Sequence, residues 1–161
     1  MKRLLAAAVL AAVAVPLTGT PVAAKTCRPT SATHPNEWRN PNYKPGAPVR
    51  TSVGTGHVLT GVVRSSADCG VIARARIELF QTAENGRYSN GVSSWAGRAT
   101  VFSRADGSYR FQGPFPTEYG GNRPHIHVYV TADGYRPLRT VYLPKAGETS
   151  GRFDFVLVEE A

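Results

Sequence analysis

Beyond residue 24, glycine and proline interrupt this sequence so often that no long amphipathic helix is expected. The 161 residues contain 16 Gly and 12 Pro, and no segment keeps the 3.6-residue apolar period of a surface helix. Short apolar and β-branched runs recur instead, bounded by turn dipeptides such as Asn85-Gly86 and Asp106-Gly107. This pattern predicts an all-β protein, a β-sandwich preceded by a long irregular N-terminal arm.

Six runs carry the strand signal, because they are rich in apolar and β-branched residues and end at turn signals. In the second run, Ile77 and Leu79 alternate with Arg76, Glu78 and Phe80, which places the two sets on opposite faces of a strand. The predicted strands are residues 57–64, 75–81, 108–112, 125–131, 138–143 and 153–158.

The first 24 residues are typical of an export signal. Residues 1–3 are positively charged, residues 4–17 form an almost unbroken apolar run, and residues 22–24 are the small residues that a signal peptidase recognises. A membrane anchor is the alternative, but a bilayer core requires about 20 consecutive apolar residues. We therefore expect cleavage after Ala24, a secreted protein and no stable insertion into a membrane.

The remaining chain divides by composition into an arm and one domain. Residues 25–54 are polar and proline-rich, with no helical or strand period, which predicts an arm lying on the domain surface. Regular signals begin after this segment, so residues 55–161 are predicted to form the β-sandwich domain. The sequence carries no signal for an oligomeric state.

The basic character of the mature chain does not predict a nucleic-acid partner. Without the export signal, 17 basic and 11 acidic side chains remain, a formal charge of +6. The Arg residues are scattered, with no dense basic run and no recognisable binding helix. Diffuse positive charge of this kind favours solubility or weak attraction to acidic polymers.

Two cysteines, Cys27 and Cys69, fall in the mature chain. Export would place them where disulfides persist, and two thiols allow only one intramolecular pairing. Closing that loop should stabilise the fold by roughly 4 kcal/mol on the chain-entropy estimate. A metal site is the alternative, but no C-x-x-C or Cys/His ligand spacing supports it. We expect a disulfide that fastens the arm to the domain.

The segment from Tyr119 to Val130 contains the pattern His125-Ile-His127 after a Gly-rich loop. Successive side chains of a strand face opposite ways, so the two imidazoles share one face and form half of a metal site. The loop can bring the Tyr119 phenol back towards them. The alternative is a pair of exposed histidines on a solvent face. His34 and His57 are interpreted as surface residues rather than ligands.

The order of motifs along the chain resembles the intradiol ring-cleavage dioxygenases, the catechol and protocatechuate 3,4-dioxygenase family, and among them the short secreted members. The resemblance covers about residues 27–158 and depends on several anchors in the correct order rather than on one motif. These anchors are Gly61-Val-Val, residues 75–81, Gly86-Arg-Tyr88, Asp106-Gly107, Tyr119 and His125-Ile-His127.

This resemblance implies a mononuclear Fe(III) centre held by two phenolates, Tyr88 and Tyr119, and two imidazoles, His125 and His127. A hard, highly charged ion favours anionic oxygen and can hold a phenol deprotonated far below its free pKa of about 10. The implied substrates are a catechol-type small aromatic and O2. The implied reaction cleaves the ring between the two hydroxylated carbons and gives a muconate-type diacid.

The sequence departs from the family at positions that support catalysis. Asn122 stands where the family has an Arg three residues before the first His, and Arg123 follows one residue later. The Gln usually found in the segment equivalent to residues 139–142 is absent, and Phe80 replaces a Trp. Tyr119, Asn122 and Arg123 are therefore the candidate catalytic residues. The alternative hypothesis is a transthyretin-like binding or structural module with weak or no turnover.

Overall fold

All regular structure in the described part of the chain is β-strand. A computed structural model describes residues 25–33, 41–89 and 94–160. None of these residues forms a helix with the length and hydrophobicity that crossing a bilayer requires. The strands are β1 (His57–Ser65), β2 (Arg76–Phe80), β3 (Arg98–Phe102), β4 (Ser108–Gly113), β5 (Ile126–Thr131), β6 (Leu138–Tyr142), β7 (Ser150–Arg152) and β8 (Phe155–Leu157).

The strands form two sheets that pack face to face. In the first sheet β1 is central, with β4 antiparallel on one edge and β7 and β8 parallel on the other. The second sheet has the order β3-β2-β5-β6, and all its pairs are antiparallel. The prediction of an all-β sandwich is confirmed.

The core lies between the two sheets and follows from the two-residue period of the strands. Every second residue of β1 is buried, and Leu59 and Val63 are completely inaccessible. The facing side chains of the second sheet include Ile77, Leu79 and Val128, all at most 2% exposed. Each such side chain contributes about 1.5–3 kcal/mol when it is fully buried, so this layer stabilises the frame that carries the loops.

The six predicted strands are present, with ends that differ by one or two residues. Two further strands were not predicted. β3 (RATVF) is apolar and β-branched after Arg98, so its short strand signal was overlooked, whereas the three-residue β7 is polar and has no such signal. β7 is defined by its backbone pairing with β1, which composition does not reveal. The predicted export signal and His34 lie outside the described residues.

The last residues of the N-terminal arm pair with edge strands of both sheets. Val49 bridges to Thr100 of β3, and Ser52 bridges to Gln112 of β4, so the arm crosses from the edge of one sheet to the edge of the other. Upstream, Tyr43 packs on the outer face of the second sheet. Both faces of β2 are therefore covered, and its residues 77–80 are all buried.

The predicted disulfide is present between Cys27 and Cys69, whose Cα atoms are 5.2 Å apart. It lies beside Ser65, the last residue of β1, because the Cys69 N–H donates to the Ser65 carbonyl. The Cys27 N–H donates to the Ser66 carbonyl at 3.0 Å. The covalent link therefore fastens the start of the arm to one end of β1.

The interpretation of His57 as a surface residue is wrong. His57 begins β1 on the same face as Leu59 and is only 1% exposed. Its Nδ1 lies 3.0 Å from the Glu148 carbonyl, to which it donates. Its ring stacks on Tyr142 with centroids 5.7 Å apart. The two-residue period of β1 places this imidazole at the end of the core.

Candidate metal centre

The two imidazoles of the H-x-H motif converge at the start of β5. His125 immediately precedes the strand and His127 is its second residue, so both project from the outer face of the second sheet. Their Nε2 atoms are 2.9 Å apart, and the ring planes are nearly perpendicular, at 83°. His127 is buried, with 6% exposure.

Tyr88 joins the two histidines from the turn that follows β2. Gly86 adopts a φ of 71°, which a Gly tolerates without strain, and the Arg87 N–H donates to Asn85 Oδ1 at 3.1 Å. The predicted Asn-Gly turn therefore directs Tyr88 back over the sheet. Its hydroxyl lies 3.1 Å from His125 Nε2, and its side chain is buried.

Tyr119 approaches from a tight hairpin in the loop before β5. The backbones of Tyr119 and Asn122 exchange two hydrogen bonds, of 3.1 and 3.0 Å, around Gly120 and Gly121. These glycines have φ values of 58° and 80°, as a type I′ turn requires. The Tyr119 ring meets the Tyr88 ring edge-on at 5.0 Å. The structure thus brings all four predicted ligands to one place.

The loop that carries Tyr119 is tied to the turn that carries Tyr88. The Thr117 N–H donates to Thr82 Oγ1 at 2.9 Å, and Gln81 Nε2 donates to the Pro114 carbonyl at 2.6 Å. Thr82 and Gln81 directly follow β2 and are buried. The loop is therefore fixed to the same strand end from which Tyr88 projects.

The other two candidate catalytic residues lie on the same hairpin. Asn122 forms an antiparallel bridge with Tyr119, and residues paired in this way present their side chains on one face. The next residue, Arg123, is exposed, and its carbonyl accepts a hydrogen bond from His125 Nδ1 at 2.7 Å. The contact that Arg123 makes with the centre is through its backbone.

The donor set fits a metal ion by two geometric criteria. The His125 Nδ1–H donates to a carbonyl, which leaves the lone pair of Nε2 directed at the centre. Adjacent ligands with bonds of about 2.0–2.1 Å are themselves about 3 Å apart, and the Nε2–Nε2 and Oη–Nε2 distances are 2.9 and 3.1 Å. One imidazole nitrogen cannot accept two well-directed hydrogen bonds, whereas a cation satisfies all these donors together.

The chemical type of the donor atoms determines which kind of ion the centre would suit. Among the described residues, no group of three or more His, Cys, Asp or Glu side chains is placed to hold a metal. The donors that converge at the candidate centre are two imidazoles and the Tyr88 phenol, with the Tyr119 phenol ring beside it. Phenolate oxygen suits a hard, highly charged ion that can deprotonate it.

The contacts that surround the ligands were not predicted from the sequence, although Phe80 was noted there as the replacement of a Trp. Phe80 stacks on His127 with centroids 4.4 Å apart, and the fully buried Arg98 lies next to Phe80. Burial lowers the pKa of Arg98, and the opposing effect comes from Tyr88. The sequence contains one signal for these contacts. Phe80 lies on the same face of β2 as charged residues, and an aromatic side chain on that face has to be covered by other side chains.

Two known dioxygenases are similar to this chain in sequence, although no family model matches it. It is 41% identical over 91 residues to the hydroxyquinol 1,2-dioxygenase of Rhodococcus opacus, an alignment covering 43% of this chain and 30% of that protein. It is 30% identical over 93 residues to the catechol 1,2-dioxygenase of Acinetobacter guillouiae, covering 45% of this chain and 30% of that protein. The chain thus spans less than a third of the length of these curated relatives.

A solved structure covers more of the chain. The dioxygenase domain of a dioxygenase and carbohydrate-binding protein fusion, from the cellulolytic bacterium Streptomyces sp. SirexAA-E, matches with a TM-score of 0.68 and 26% identity. The match covers 83% of this chain and 100% of that domain. The similarity therefore extends over most of this chain and over the whole of that domain.

Proposed function

Because this chain belongs to the intradiol ring-cleavage dioxygenase family, we propose that it cleaves the ring of a catechol-type aromatic with O2, at an Fe(III) ion held by Tyr88, Tyr119, His125 and His127. The observation that carries the proposal is the convergence of these side chains: the donor atoms of Tyr88, His125 and His127 are 2.9–3.1 Å apart, and the Tyr119 ring lies against the Tyr88 ring. When bound, a ferric ion would hold the catechol oxygens and increase the reactivity of the ring towards O2.

The four ligands have different tasks in this proposal. Tyr88 and His127 are buried, so they hold the centre in place. Tyr119 is 39% exposed on its glycine turn, so it can move aside, and its oxygen, which a bound Fe(III) ion would keep as phenolate, can accept a catechol proton. Substrate would enter from this open side, since the other side is closed by the sheet.

The hairpin also carries Asn122, the residue that we propose to support catalysis. Asn122 lies on the face of the turn that carries Tyr119, where its side-chain N–H can donate to negative charge that develops on the ring. An amide dipole stabilises such charge less than a guanidinium does. We therefore propose that catechols bind readily and are cleaved slowly.

Export is proposed together with this activity. The support is the signal-like segment of residues 1–24 and the Cys27–Cys69 disulfide, a bond that persists in oxidising compartments. Mass spectrometry of protein from the culture medium should show a chain that begins at Lys25. A chain that keeps residues 1–24 would contradict the proposed cleavage.

The test of the proposed function combines colour with product analysis. Purified protein loaded with Fe(III) should show a visible phenolate-to-iron charge-transfer band. That band should shift when catechol or hydroxyquinol is added, and ring-opened product should accumulate under air. Protein that binds no iron, or that binds catechol without any ring-opened product, would instead favour a binding module.

A further inference from the structure

One row of paired residues runs across three strands on the outer face of the second sheet. Arg98 of β3 lies opposite Phe80 of β2, and Phe80 lies opposite His127 of β5. Directly opposite residues on neighbouring strands project from the same face. These three side chains therefore lie side by side, and we call them the Arg98–Phe80–His127 row.

Phe80 contacts both of its neighbours in the row. Its ring is almost parallel to the His127 imidazole, with an interplanar angle of 9° and centroids 4.4 Å apart. The guanidinium carbon of Arg98 lies 5.4 Å from the Phe80 ring centroid, within the range of a cation–π interaction. A stacked ring restrains rotation of the imidazole plane, and that plane determines where Nε2 points.

Arg98 also contacts the segment that carries Tyr88. Its Nε donates to the Ser89 carbonyl at 3.1 Å, which holds the residue next to Tyr88. The Arg98 side chain is 1% exposed, so water screens its charge little. One buried cation thus touches both the ring behind His127 and the backbone beside Tyr88.

The arm closes the row from outside. Tyr43 packs on Phe80 with centroids 5.7 Å apart, and its hydroxyl donates to Glu78 Oε2 at 2.9 Å. Glu78 is in turn held by two hydrogen bonds from Arg76. Phe80 is consequently 5% exposed and has contacts on several sides.

A second residue of the arm fastens the start of β3. Arg50 donates to the Arg98 carbonyl through Nε at 3.1 Å and through a terminal nitrogen at 2.7 Å. It also donates to the Trp95 carbonyl. The backbone of Arg98 is therefore held by the arm, which limits movement of the whole row.

We propose that Phe80 and Arg98 are positioning residues, which fix the plane of the His127 imidazole and the place of Tyr88 before a metal binds. The comparison with His125 supports this, because the His125 ring is oriented by its hydrogen bond to the Arg123 carbonyl. The Arg98–Phe80–His127 row does the same for His127 through ring contacts. The identity of the ion rests on the proposed function, whereas the ring orientation is a property of the metal-free protein.

The test compares Phe80→Leu with the matched control Phe111→Leu in the full chain. Phe111 is also buried, with 1% exposure, but it lies on β4 in the other sheet. In the metal-free wild type, stacking should shift the NMR signals of the His127 ring protons upfield. Phe80→Leu should abolish that shift and weaken Fe(III) binding by about 10- to 100-fold, the usual effect of changing a ligand's supporting group. Phe111→Leu should lower the melting temperature comparably and change neither readout.

Arg98 is tested by Arg98→Met and Arg98→Lys. Arg98→Met keeps the length of the side chain and removes its charge, so the charge-transfer band of the ferric protein should move to longer wavelength. Arg98→Lys keeps the charge and loses the planar fork, so it should recover the band position better than it recovers iron affinity. A band unmoved in both variants would overturn the assignment of Arg98.

Failure of this inference can be distinguished from failure of the proposed function. If the wild type binds no iron, the proposed function fails, and the ring-proton shift in metal-free protein still decides the role of Phe80. A shift that persists in Phe80→Leu refutes the inference. Equal losses of iron affinity in Phe80→Leu and Phe111→Leu also refute it, because they show a structural effect alone.

Discussion

The two halves of the candidate metal centre differ in how deeply they are buried. Tyr88 and His127 are 9% and 6% exposed and lie against the sheet. Tyr119 is 39% exposed and projects from a two-glycine turn. Tyr88 and His127 thus form a buried half against the sheet, and Tyr119 on its glycine turn forms an open half that faces solvent. A centre that must both retain an ion and admit a substrate needs this asymmetry.

The largest expected effect comes from removing a ligand in the buried half. Tyr88→Phe keeps the ring and removes only the oxygen, and we expect ferric affinity to fall by more than about 100-fold, beyond the range of supporting groups. Tyr119→Phe should cost only about tenfold, at the lower end of that range. Titration with Fe(III), followed at the charge-transfer band, measures both values.

His127→Ala and His125→Ala complete this comparison. Both should abolish ferric loading while the fold survives, because the core faces the other side of β5. Circular dichroism checks the fold. A charge-transfer band that stays unchanged in both Phe variants would show that the two tyrosines are not ligands.

The second prediction concerns the disulfide, whose removal should lower the stability of the protein without changing its affinity for iron. Removing the disulfide by Cys27→Ser should lower the free energy of unfolding by roughly 4 kcal/mol, because the denatured chain regains the entropy of the closed loop. Denaturant unfolding measures this loss. Ferric affinity should remain at the wild-type value, since the disulfide lies at the opposite end of β1 from the metal centre.

The control for the disulfide is Cys69→Ser, alone and combined with Cys27→Ser. All three variants lack the same bond, so their stabilities should agree. A double variant that loses as much as both single variants together would mean that the cysteines act separately. A fall in ferric affinity in all three would mean that the arm is coupled to the centre along its whole length.

The third effect concerns catalysis in the open half. A positioned cation that stabilises developing charge is typically worth about 3 kcal/mol, or about a hundredfold in rate. Asn122→Arg would place a guanidinium on the face of the hairpin that carries Tyr119, so ring cleavage per iron should accelerate. Arg123→Ala should have little effect, because the contact of Arg123 is through its carbonyl, which the variant retains. If Asn122→Arg is no faster and Arg123→Ala is slower, the Arg123 side chain has the role assigned to position 122.

The pairing of His125 and His127 could be predicted from the sequence, because the alternation of a strand places both on one face. Tyr88 and Tyr119 were identified only through the resemblance to a family, since no local rule assigns a ligand role to a phenol. The resemblance singled out Phe80 as the replacement of a Trp, but its stacking on His127 and the role of Arg98 could not be predicted, since these contacts depend on the register between three strands.

His57 was misread. The alternation of β1 puts it on the face of Leu59 and Val63, but the opposite face is also apolar, with Val58 and Val62, so the local pattern does not show which face is the core. The arm has no helical or strand period, so no sequence pattern predicts that Tyr43 packs on the second sheet.

The smallest expected effect concerns the shape of the glycine turn in the open half. Gly121 has a φ of 80°, and no atom lies within 4 Å of the position that a Cβ would take, so Gly121→Ala adds backbone strain of about 1–2 kcal/mol without a clash. Gly134→Ala is a matched control, because Gly134 has a φ of 79° and equally open space in the turn between β5 and β6. Both variants should lose similar stability in denaturant unfolding. Only Gly121→Ala should slow ring cleavage, because the strain disturbs the turn that presents Tyr119. Its ferric affinity should fall by no more than the roughly tenfold expected for Tyr119→Phe, because Tyr88 and His127 are unaffected. Equal rates in the two variants would mean that the shape of this turn does not limit catalysis, and a larger loss of iron from Gly121→Ala would mean that the turn also positions the buried half.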